Sequence, residues 1–117
     1  MTRMFIVKDI QIDAMRRIKL EQVIKRTFEL LRDEFHEFDS LPDHSLQATI
    51  RRQIMLASVT FKIKSFDLLE DFVVLSLQKP VLMEQPLPAD LQRILTWPGM
   101  DQNDKMNELE RLLNSKY

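Results

Sequence analysis

No cysteine occurs in this chain, and glycine occurs once, at Gly99. Without thiols there is no disulfide, zinc–thiolate centre or cysteine nucleophile to consider. A single glycine is too few for the hairpins of a β-rich fold or for the backbone cradles that hold phosphate, both of which depend on it. Long apolar runs are missing as well, and no segment nears the ~20 residues of a membrane span. The N-terminal MTRMFIVKDIQ offers only Phe5-Ile6-Val7 as an uninterrupted apolar run after Met4. A signal peptide needs roughly 7–15 apolar residues there. These absences predict an all-α protein without membrane association that stays in the cytoplasm.

What is present is ordinary in amount and patterned in order. The 117 residues are 44% hydrophobic and 30% charged, the balance of one folded domain spanning residues 1–117. Net charge is −1, yet the charges come in blocks. Residues 1–32 hold eight Lys/Arg against four acids, and residues 33–47 hold five acids and no Lys or Arg. Arg51, Arg52, Lys62 and Lys64 then occur without an acid, before five acids face Lys79 alone over residues 65–90. Such alternation predicts helices whose charges complement one another on packing, not one basic face for nucleic acid.

The hydrophobic spacing predicts a bundle of four to five helices. From about Lys8 to Phe35, Leu20, Ile24, Phe28, Leu31 and Phe35 recur at helical steps and form one stripe. After Pro42, Asp43 or Ser45 is expected to cap a second helix with Leu46, Ile50, Ile54, Ala57 and Phe61 inward, ending near Lys62–Lys64. FKIKSF alternates like a strand, but nothing nearby could pair with it. Ser65 is expected to cap a third helix, SFDLLEDFVVLSLQK, with acids in its first turns and Lys79 at its end, as the macrodipole favours. That helix is apolar almost all round, which marks it as the central one. Pro80, Pro86 and Pro88 break the helix over residues 79–88, and Pro88 opens the short PADLQRIL. TWPGM turns the chain, and Asp101 is expected to cap a last helix with Met106, Leu109 and Leu113 inward.

Chemistry-bearing clusters are few. EFHEFDSLPDHS (residues 34–45) gathers both histidines, His36 and His44, among Glu34, Glu37, Asp39 and Asp43. A helical metal site needs histidines at i and i+4, whereas the residue four after His36 is Ser40 and His44 lies beyond Pro42. The stretch therefore predicts a helix–helix corner with no metal, and no cofactor is expected. No serine stands in a nucleophile elbow, and the adjacent Glu70 and Asp71 point about 100° apart on a helix. No enzyme is predicted. Arg16, Arg17, Lys19, Arg51 and Arg52 could form a phosphate-binding edge, with a salt-bridged face as the competing reading. Val81, Leu82 and Met83 on the proline-rich connection, together with Trp97 in the next turn, either fold back over the bundle or present a partner-binding patch. Met4-Phe5-Ile6-Val7 carries the same two readings.

Taken in order, MFIVKDIQIDAM, LLRDEFHEF, HSLQATIRRQI, KSFDLLEDFVVLSL, a Pro-rich link, DLQRIL and NDKMNELERLL form a layout covering nearly the whole chain. That layout resembles the small all-helical proteins encoded among the spike and effector genes of bacterial type VI secretion clusters. The resemblance implies a non-catalytic accessory that binds another protein of its cluster. It would act as a chaperone or adaptor for an effector or spike component, or alternatively as an immunity protein that neutralises a toxin. A nucleic-acid-binding regulator is the third class.

Overall fold

A computed structural model describes the backbone of residues 2–117 and the side chains from residue 15 onward. Five α-helices follow one another, with no strand among the described residues: α1 (Thr2–Glu34), α2 (Asp43–Met55), α3 (Phe66–Gln78), α4 (Ala89–Leu95) and α5 (Gln102–Lys116). This is the all-α architecture expected from the spacing. α1 begins earlier than Lys8 because nothing in TRMFIVK, neither proline nor glycine, interrupts helical geometry. The side chains of Met4-Phe5-Ile6-Val7 lie outside the described residues.

The first corner is a 3₁₀ turn, His36–Phe38, held by Arg32. Its guanidinium donates to the Phe38 carbonyl at 2.9 Å, to the Leu41 carbonyl and to the Asp43 carboxylate at 2.8 Å. These bonds occupy carbonyls that no helix serves and fix where α2 starts. Neither expected cap is used there. Pro42, with extended backbone, is the N-cap residue, and Asp43 is already helical with its carboxylate turned to Arg32. Ser45 lies inside α2.

α2 is α-helical only to Met55. It widens into a π-helical turn, Leu56–Thr60, and stops at Lys62, whose φ is +59°. The Phe61 amide donates to Leu56 O and the Ile63 amide to Ala57 O, so the carbonyls of the widened turn are served after the helix has ended. The alternation in FKIKSF finds its cause here. Phe61 and Ile63 are buried while Lys62 and Lys64 are exposed, so a helix-to-helix corner drives alternate side chains into the core. Ser65 caps α3 as expected, its Oγ accepting from the Leu68 amide at 3.4 Å, and Asp101 caps α5 at Asn103 N, 3.0 Å away. Gln102 locks the two ends together, its Oε1 accepting from the amides of both Lys64 and Ser65 at 2.9 and 3.0 Å.

α3 is the central helix: α1, α2 and α5 all pack on it. Leu69, Phe72, Val73 and Ser76 form its buried face, and the Phe72 ring meets Phe61 edge-on at 6.1 Å. One polar network crosses this core. Gln53 of α2 donates to Ser76 Oγ at 3.0 Å and to the Leu82 carbonyl at 3.4 Å, and Ser76 donates to Phe72 O at 2.8 Å. A buried amide without partners would cost several kcal/mol, on the order of 2–7, so this network selects the one arrangement that satisfies it.

Candidate functional site

The 3₁₀ turn Pro80–Met83 of the proline-rich connection folds back on α3, where Leu82 joins the hydrophobic core at 0% exposure and Gln53 bonds its carbonyl. Leu82 therefore belongs to the core of the free chain, the folded-back alternative of the two readings for this connection. Val81 and Met83 flank it half-buried. Trp97 is different: it is 48% exposed on the turn between α4 and α5. It lines a shallow hollow with Thr60, Phe61, Lys62, Pro98 and Gly99, and none of Val81, Leu82 or Met83 lines that hollow. Of the four predicted partner-binding residues, only Trp97 keeps a large free surface.

The histidine-bearing corner has no convergent geometry. His36 Nδ1 lies 3.2 Å from the Asp39 carboxylate, both exposed, and His44 is exposed in the first turn of α2. Among the described residues no three His, Asp or Glu side chains come together as a metal site would require. The basic edge is partly spent on internal partners. Arg51 pairs with Glu21 across α1 and α2, with Nη2 2.9 Å from Oε2, and Arg16 donates to Ser58 Oγ at 2.6 Å. That pairing draws the Glu21 carboxyl below its usual pKa.

A surface that the sequence reading did not single out is the better candidate. Along the outer face of α3 runs an open groove of about 540 Å³, walled by α1 on one side and α5 on the other. Its lining is mixed, and the apolar part comprises Leu68, Val74 and Leu75 of α3, Leu30 of α1 with the following Phe35, and Met106 of α5. All but the buried Met106 are only partly covered. Its polar part is acidic, with Glu34, Glu70, Asp71 and Glu110 contributed by the three helices, and the amides Gln78, Asn103 and Asn107 complete it. Among the described residues no Lys or Arg lines the groove.

One of the four carboxylates is neutralised within the fold: Arg26 donates to Glu70 Oε2 at 2.9 Å and reaches Asp67 Oδ1 at 3.4 Å. Glu34, Asp71 and Glu110 have no cation within ion-pair distance among the described residues. Asp71 is crowded by like charge. Desolvation lifts its carboxyl above the usual pKa, and the charges of Glu70, Asp67 and Glu110 push the same way.

The sequence did hold part of this signal. An apolar stripe extending past the buried face of α3, interrupted by Glu70 and Asp71, is visible in SFDLLEDFVVLSLQK. That Glu110 and Met106 stand beside it follows only from how α5 docks. The chain matches no known family model, no curated protein and no solved structure.

Proposed function

We propose that this protein is a non-catalytic accessory that works by binding another protein, as a chaperone or adaptor for a type VI secretion effector or spike component. The secretion assignment rests on the resemblance in helix layout. The binding assignment is carried by one observation: a groove along the outer face of the central helix sets half-buried apolar side chains from α1 and α3 among carboxylates, with no Lys or Arg among its described lining residues. The partner would be met in the cytoplasm before export.

The test is genetic and biochemical together. Deleting the gene should abolish delivery of one effector or spike protein, and that protein should co-purify with the tagged chain in defined ratio. Cells lacking the gene should survive exposure to the same effector. Loss of survival instead assigns the immunity role, in which the chain neutralises a toxin. Absence of any complex with a secretion protein refutes both.

A further inference from the structure

We infer that the groove on the outer face of α3 binds a cationic amphipathic α-helix of the partner protein, apolar side down and Lys/Arg along both flanks. This inference rests on the protein-binding reading and specifies its site. Three features of the groove choose the occupant. First, every wall is helical, so there is no open sheet edge to hydrogen-bond an extended peptide. The incoming segment has to satisfy its own backbone, and a helix does so. Second, the lining offers apolar side chains in rows at helical spacing, with Leu68 and Leu75 seven residues apart on α3 and Met106 opposite on α5. From Leu68 to Gln78 the groove follows ten residues of α3, about 15 Å at the helical rise, which accepts roughly three turns of a guest.

Third, the charge has one sign and comes from both sides. Glu34 stands on the α1 wall, Asp71 on α3 between Leu75 and Val74, and Glu110 on the α5 wall. Glu110 is among the like charges that raise the Asp71 carboxyl, so the arrangement opposes itself in the free protein. A guest ammonium or guanidinium placed between Asp71 and Glu110 relieves that repulsion, and an acidic or neutral helix does not. Bonds of Lys or Arg to these carboxylates would be charge-assisted and partly shielded from water by the guest itself.

The probe is a synthetic fourteen-residue peptide with leucines at i, i+3, i+4 and i+7 and lysines on both flanks. Two controls accompany it, one with glutamates replacing the lysines and one of the same composition scrambled to destroy the apolar face. Each is titrated into the ¹⁵N-labelled full chain and followed by NMR and by peptide circular dichroism. The lysine peptide should bind, turn helical, and shift the amides of Leu68, Asp71, Leu75, Met106 and Glu110 most. The glutamate and scrambled peptides should bind at least tenfold more weakly. In an Asp71→Asn, Glu110→Gln double variant, affinity for the lysine peptide should fall at least tenfold while the melting temperature holds or rises.

Equal binding of the scrambled peptide, shifts centred elsewhere, or an unchanged affinity in the double variant overturns the inference. So does a concentration-dependent dimer of the free chain that the double variant abolishes, because the occupant is then a second copy. The protein-binding reading fails separately. If the co-purifying secretion protein binds wild type and double variant alike, that reading stands and the groove assignment falls.

Discussion

Replacing Leu82 with alanine removes three carbons from a side chain that is 0% exposed, in a turn whose carbonyl is already bonded to Gln53. At about 0.8 kcal/mol per buried methylene the transfer loss alone is roughly 2.4 kcal/mol. A residual cavity adds to it, because α3 and the Pro80–Met83 turn are each anchored and cannot close the gap. The expected cost is therefore about 3–4 kcal/mol, inside the range seen for buried leucines. For a chain of 117 residues that is a fall of roughly 10–20 °C in Tm. Urea unfolding followed by far-UV circular dichroism measures it, with the slope unchanged if the unfolded state is unaffected. Trp97→Ser, at a 48% exposed site, is the internal comparison and should stay within about 0.5–1 kcal/mol of wild type. A loss below about 1 kcal/mol for Leu82→Ala would show that the turn is not docked on the core, and the assignment of Leu82 would revert to the surface.

Asp71→Asn should raise Tm near neutral pH. The folded carboxyl titrates above its unfolded value of 3.8, so the native state holds more protons just above that value and its ionised form is a net burden; the gain should vanish below it, where both states are protonated. An unchanged or lower Tm at neutral pH refutes the crowding of charge at the groove. Asp90 behaves oppositely: bonds from Lys116 at 2.8 Å and Tyr117 at 2.9 Å lower its carboxyl from 3.8 to about 2. Its contribution is present above 3.8 and lost as pH falls through about 2, so the Tm gap between wild type and Asp90→Asn should be open near neutral pH and close over that acid window. A gap independent of pH would assign the effect to packing. Lys62→Gly should stabilise by about 0.5–1 kcal/mol, because Lys62 holds a φ of +59° that glycine adopts freely; a destabilised variant would mean that the lysine stem is needed at that corner.

Sequence spacing was sufficient for the elements themselves. A bundle of four to five helices, the caps at Ser65 and Asp101 and the central place of α3 follow from local rules, because a cap needs a neighbour two or three residues away and an amphipathic stripe needs only its own helix. Local rules also misled where a side chain had a distant partner. Asp43 looked like a cap and is instead the end of the Arg32 clamp, and the second helix ends through a π-helical turn that no proline or glycine announces.

The candidate surface divides in the same way. Leu82 faces in because the core has room for its side chain and Gln53, twenty-nine residues earlier, serves its carbonyl there. The groove draws Glu34, Asp71 and Glu110 into one lining from three helices, and no spacing along the chain encodes that meeting. Periodicity says which face of a helix is apolar. Only docking says which part of that face the rest of the chain leaves uncovered, because burial belongs to pairs of elements and not to any one of them.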